Sequence, residues 1–268
     1  MELLNKTMLG AIVGDIIGSP YEFKPNKDIA FEIFKQGSRF TDDTVMTLAV
    51  ARWLMEDKSH NPTTLVDIMT ELGVRYPKVG YGGTFAKWLA LSEKQPYNSW
   101  GNGSGMRVSP IGLYAETLDE ALSLAAVSAM VTHNHKEGVK GAQAIAACMF
   151  LARKGKTKDE IREYVTKTFH YDLNRNTEDI RPKYKFDVSC QGSVPESILA
   201  FLEGNSFEEI VRIAVSLGGD ADTMACMAGA IASCVYEIPE EMIKKSNEIL
   251  TPQLLEIKDN FMEFLLQK

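Results

Sequence analysis

The chain has 268 residues, with 29 Lys+Arg against 36 Asp+Glu, a formal net charge of −7, and 45% hydrophobic residues. That composition excludes a disordered chain, and the length supplies interior for one large domain or two small ones. The acidic surplus argues against a duplex-DNA binder, whose affinity rests on Lys and Arg, and leaves small polar ligands, metal cations and basic partners open.

Helical periodicity dominates, and clean alternation of apolar and polar residues is scarce. The first predicted helix, 5–18, carries Gly10, Gly14 and Gly18 at i, i+4, i+8. Glycine costs about 1 kcal/mol inside a helix, so this bare face makes sense where another helix approaches closely. Met8 to Gly18 is the stretch most suggestive of a membrane span. It is short and interrupted by Asp15, so it reads as neither a membrane span nor a signal peptide. Pro20 breaks the helix and leaves Glu22 in a loop, where an isolated Glu is ordinarily solvated. Thr41-Asp42-Asp43-Thr44 opens a predicted helix at 43–57, and further helices are predicted at 62–75 and 84–92.

Next comes a glycine-rich stretch, Ser99 to Arg107, leading into a predicted helix at 104–114 and another at 118–131. Thr132-His133-Asn134-His135 separates these from a small-residue helix at 137–153, followed by one at 157–168. Tyr171 to Lys183 reads as a surface loop, and Tyr184, Phe186 and Val188 give the one brief strand-like alternation. Helices are then predicted at 193–203 and 206–216. Gly218-Gly219-Asp220-Ala221-Asp222-Thr223 enters a second small-residue helix, 221–236, and helices at 239–249 and 252–266 complete the chain. The two small-residue helices are apolar around most of their circumference, which implies central burial. No repeat or low-complexity tract divides the chain.

Cys148, Cys190, Cys226 and Cys234 form no CxxC pair, so a disulfide framework is not indicated. The four histidines, His60, His133, His135 and His170, show no zinc-ligand spacing with a cysteine. The expectation is a soluble, cytoplasmic protein.

Each acidic cluster alone reads as helix capping, because Asp and Thr oxygens accept orphan N–H groups at helix starts. One Asp suffices for that, however, and adjacent carboxylates repel. Two such pairs entering two long apolar helices favour a metal site. Carboxylate and hydroxyl oxygens are hard ligands suited to Mg²⁺ or Mn²⁺. Asp42 and Asp43 facing Asp220 and Asp222 would balance two divalent ions. The glycine stretch lacks a P-loop ending. It reads equally well as a backbone cradle for phosphate, with Trp100 stacking and Arg107 meeting an anion, or as a turn with Arg107 in a structural ion pair. His133 and His135 by themselves read as capping or backbone-bonding groups.

Taken together, these segments resemble the ADP-ribosylglycohydrolase family, from Gly10 to about Pro239 and in the family's order. The matching stretches are G-A-I-V-G-D-I-I-G-S-P-Y-E-F, F-T-D-D-T, G-N-G-S-G-M-R-V-S-P, T-H-N-H and L-G-G-D-A-D-T. The resemblance implies one compact all-α domain over residues 1–268, an orthogonal helical bundle around a dinuclear Mg²⁺ or Mn²⁺ site. It implies Thr41, Asp42, Asp43, Asp220, Asp222 and Thr223 as metal ligands, and Glu22 and Asp43 as catalytic groups. Ser99, Trp100, Gly101, Asn102, Gly103 and His133 would line the ADP-ribose pocket. The implied reaction is metal-dependent hydrolysis of the bond between ADP-ribose and a protein side chain or other acceptor. Two rivals stand beside it: an all-α Mg²⁺-dependent nucleotide pyrophosphohydrolase, and a non-catalytic ADP-ribose-binding or structural protein on the same fold.

The chain departs from the family at two points. Some members place an aspartate before a G-x-T element, whereas Gly80-Tyr81-Gly82-Gly83-Thr84 has no carboxylate, which leaves proton transfer to Glu22 or Asp43. Lys136 stands where many bacterial relatives have Pro, a matter for the local turn alone. Two bound dications would offset the four aspartates, so net charge does not remove a nucleic-acid-linked substrate from the list.

Overall fold

A computed structural model describes residues 9–268, and the start of the first predicted helix, 5–8, lies outside that range. The helices are α1 (Leu9–Gly18), α2 (Asp42–Glu56), α3 (Pro62–Arg75), α4 (Gly83–Leu89), α5 (Gly103–Met106), α6 (Ser109–Tyr114), α7 (Leu118–Met130) and α8 (Lys136–Arg153). They continue with α9 (Lys158–Phe169), α10 (Thr177–Ile180), α11 (Cys190–Glu203), α12 (Phe207–Ser216), α13 (Ala221–Ala232), α14 (Glu240–Ile249) and α15 (Pro252–Gln267). Their starts follow from local chemistry. Asn61, Thr117, Ser206 and Thr251 accept backbone N–H groups at N-caps, and Thr157 with Glu160 forms a capping box.

The centre of the molecule is the crossing of α1 and α13. A Cβ at Gly14 would lie 2.1 Å from the Ala225 carbonyl oxygen, and one at Gly10 would lie 2.3 Å from that of Gly229. Only glycine permits this backbone-to-backbone approach. Every residue of α1 and α13 is buried. The second small-residue helix, α8, packs against α7, α11 and α13, and α2 lies against α1, α3 and α15. The buried side chains form one continuous apolar cluster.

Three expectations change. The predicted helix 104–114 is two helices, α5 and α6, broken at Arg107 and Val108. Pro110 sits in the first turn of α6, where its missing N–H costs nothing, whereas in a continuous helix its ring would clash with the Met106 carbonyl. The 171–183 loop contains the short helix α10, capped by Asn176. Finally, α11 starts earlier than predicted, because Ser189 caps it and Pro195 sits inside rather than near its first turn. The strand-like alternation at 184–188 forms no strand. Among the described residues, the only extended pairing is the bridge between Gly101 and Ser189.

Candidate metal centre and ligand cavity

The glycine crossing brings the N-terminal end of α13 beside the C-terminal half of α1. The loop after α1 and the first turn of α2 close around that point. Two carboxylate triads result. Asp15, Asp43 and Asp222 present oxygens within 4.8 Å of one another, and so do Glu22, Asp220 and Asp222. Asp222 belongs to both.

Local bonds hold this arrangement. Thr41 caps α2, its Oγ1 accepting from the Asp43 N–H at 3.3 Å. Thr223 Oγ1 donates to Asp43 Oδ2 at 3.1 Å, tying α13 to α2. Asn102 Nδ2 donates to Asp220 Oδ2 at 2.7 Å and to Ser193 Oγ at 3.2 Å. Asp43 Oδ1 is buried with no hydrogen-bond partner among the described residues. Asp42 stands outside both triads, on the cavity wall beside Gly80, where an added Cβ would meet its Oδ1 at 3.2 Å.

Asp15 was not among the sequence candidates for this site. It is fully buried and receives four hydrogen bonds, from the N–H and hydroxyl groups of both Thr41 and Thr44. Both its oxygens are committed, so it acts as a brace beneath the first turn of α2. The available signal was a single acid in an otherwise apolar, glycine-faced helix.

The electrostatics are those of closely crowded acids. Burial, with Asp15 next in weight, pushes Asp42 up to about 8. Burial and Asp220 raise Glu22 to about 7. Burial raises Asp15 to about 6 against the lowering effect of its hydrogen bonds. Asp43 and Asp222 rise well above the carboxylate range through burial and the neighbouring acids, and burial raises Asp220. Six crowded carboxyls, four of them buried, can all ionise only if positive charge enters. Their hard oxygens, and the unpartnered Oδ1 of Asp43, fit divalent cations of the Mg²⁺ or Mn²⁺ type.

A cavity of 640 Å³ opens over the cluster, within the range of small-molecule sites. Glu22, Asp42, Asp43, Asp220, Asp222 and Thr223 all line it, as do Ser99, Trp100, Gly101, Asn102, Gly103 and His133. Thr41 lies beneath, as the cap of α2. Backbone bonds hold the glycine loop against the segment before α11: the Asn102 N–H donates to the Val188 carbonyl at 2.8 Å, and the Cys190 N–H donates to the Trp100 carbonyl at 2.9 Å. Trp100 remains 48% exposed at the rim, near Phe23 and Phe186, which pack ring to ring at 5.9 Å. Among the described residues Arg107 has no ion-pair partner; it bonds Ser128 and Thr132. His135 caps α8 and is absent from the lining. The aromatic wall of Tyr81, Phe85 and Tyr97 escaped the sequence reading, since nothing in spacing marks residues that meet only across the fold.

ADP-ribosylhydrolase ARH3 of Bos taurus is 25% identical over 312 residues, covering 87% of this chain and 85% of that protein. ADP-ribosylarginine hydrolase Tri1 of Pseudomonas putida is 24% identical, covering 89% and 72%. A solved structure titled as an ADP-ribosylglycohydrolase-related protein complex shares the fold, with a TM-score of 0.73 at 24% identity over 97% of this chain and 98% of that one. The ADP-ribosylglycohydrolase family model matches residues 4–267, and the chain therefore belongs to that family of hydrolases.

Proposed function

We propose that this protein hydrolyses the glycosidic bond between ADP-ribose and an acceptor, in a metal-dependent reaction that releases ADP-ribose. The observation that carries this reading is the carboxylate cluster on the floor of a ligand-sized cavity, where Asp43, Asp220 and Asp222 are buried and Glu22 joins them from the loop after α1. Thr41, Asp42, Asp43, Asp220, Asp222 and Thr223 would hold two Mg²⁺ or Mn²⁺ ions. Bound there, the dications would supply Lewis-acid charge to the reaction.

The chain's own residues do the rest. Asn102 orients Asp220 through its 2.7 Å bond, and Thr223 orients Asp43. Glu22 is only partly buried and enters the cavity from the loop after α1, so it can exchange a proton with bound water or the departing acceptor. Asp43 is the second candidate for that role, through its free Oδ1. Ser99, Gly101, Asn102 and Gly103 offer a close-approach backbone to the ADP-ribose diphosphate, Trp100 an aromatic face, and His133 a ring nitrogen.

The candidate acceptors are arginine, the one named for the Tri1 relative, serine, nucleic-acid-linked groups and free ADP-ribose derivatives, and the substrate panel below separates the first three. Among the described residues no helix is long and apolar enough to cross a membrane. Four free, buried cysteines suit a reducing compartment, and a cytoplasmic location is part of the proposal. The test is release of ADP-ribose from arginine-, serine- and nucleic-acid-linked substrates with and without Mg²⁺ or Mn²⁺. AMP as product would point instead to pyrophosphate cleavage, and metal-independent release would overturn the assignment of the triads.

A further inference from the structure

Arg107 is a buried cation whose hydrogen-bond partners among the described residues are all neutral. Its side chain is 1% exposed, and it donates to the Ser128 carbonyl at 2.5 Å, to Thr132 Oγ1 at 3.0 Å and to Ser128 Oγ at 3.4 Å. Burial pulls its pKa down only to about 10, so it stays charged at neutral pH. A guanidinium can only donate, so Thr132 Oγ1 must accept from it.

That fixes where the next hydrogen goes. Thr132 Oγ1 lies 2.7 Å from His133 Nδ1. If Nδ1 donated, the oxygen would accept twice, and the hydroxyl hydrogen of a fully buried residue would have no acceptor. Stranding a buried donor is the costlier arrangement. The consistent assignment has the Thr132 hydroxyl donating to a bare Nδ1, which leaves the ring proton on Nε2. Burial and the Arg107 charge also push the His133 pKa well below its usual value, so the ring is neutral.

Nε2 faces the ligand side. It would lie 3.1 Å from a Cβ at Gly103 and 3.6 Å from one at Gly101, and His133 lines the cavity. We propose that Thr132, held by Arg107, is a positioning residue that locks His133 as its Nε2–H tautomer and so presents a hydrogen-bond donor to an anionic oxygen of the ligand. The ligand half rests on the ADP-ribosyl reading above; the tautomer half rests on the protein alone. Phosphoryl oxygens only accept, so an Nε2–H matches them where a bare lone pair would repel.

The experiment is long-range ¹H–¹⁵N correlation NMR of the ¹⁵N-labelled protein at pH 7, with His133 assigned by comparison with His133→Gln. The expected spectrum has a bare, hydrogen-bonded Nδ1 and a protonated Nε2. In Thr132→Val the Nδ1 signal moves toward that of a free lone pair, and the Kd for ADP-ribose weakens by about tenfold, the worth of one hydrogen bond. Thr132→Ser restores both. A protonated Nδ1, an imidazolium at pH 7, or a Val variant with unmoved Nδ1 and native affinity overturns the proposal. If the Val variant does not fold, the native spectrum and the Ser variant decide. A native chain with the expected ring that binds no ADP-ribose supports the tautomer and overturns the ADP-ribosyl reading.

Discussion

Asp15 and Asp220 show how two acids of the same cluster do different work. Asp220 has one oxygen held by Asn102 and lines the cavity, so it is free to meet a cation. Asp220→Asn should lower ADP-ribose release by about a hundredfold or more, since even residues behind a metal's ligands cost 10–100-fold. The melting temperature should hold. Near-native turnover in that variant would remove the residue from the site. Asp15 accepts four hydrogen bonds and is spent on Thr41 and Thr44. Asp15→Asn turns an NH₂ toward those donors and loosens the first turn of α2. Titration calorimetry with Mn²⁺ should show roughly 10–100-fold weaker binding, and unchanged affinity would show that the brace is dispensable. The aspartate and threonine motifs were legible from residue type and spacing alone. Asp15 was not, because a lone acid in an apolar helix declares burial but not its partners.

At the scale of the element, the decisive feature is the bare face of α1. A methyl at Gly14 would come within 2.1 Å of a carbonyl oxygen on α13, and backbone on both sides cannot yield. Gly14→Ala should therefore destabilise the fold by about 3 kcal/mol or more, beyond ordinary overpacking, read as a lowered denaturant midpoint. Gly82, at the start of α4, is the control. Its φ is −56°, and an added Cβ meets nothing within 4 Å. Gly82→Ala should change stability by no more than about 0.5 kcal/mol. Equal losses at the two positions would mean that the close crossing does not govern stability. The i, i+4, i+8 glycines foretold a close partner, though not which helix it was. The break between α5 and α6 went unforeseen, although Pro110 marked it, because the surrounding residues keep a helical pattern through Arg107 and Val108.

For the whole molecule, the carboxyl cluster couples stability to pH and to metal. Asp15, Glu22 and Asp42 are raised to about 6, 7 and 8 from ordinary values near 4. Between pH 4 and pH 8 the folded chain thus binds more protons than the unfolded one. Unfolding free energy then falls as pH rises, the stabilisation being complete below the unfolded pKa values and lost through the folded ones. The metal-free protein should melt at a higher temperature at pH 5.5 than at pH 8. Saturating Mg²⁺ or Mn²⁺ should raise the pH 8 value most, because cations replace the protons the cluster otherwise needs. A metal-free melting temperature that rises over this window would contradict the crowding of charges described here.

Helical class, the central burial of the two small-residue helices, and both acidic helix entries followed from the sequence by itself, because periodicity and N-terminal chemistry act over a few neighbouring residues. The motif order also pointed to the family. Only the tertiary structure decided that Asp15 belongs beneath the site, that Asp222 serves both triads while Asp42 stands apart, and that Arg107 bonds Thr132 behind His133. The contacts that join different segments here link residues 25 to 207 positions apart. Sequence spacing carries no distance for such pairs; the packing of α1 on α13 sets them.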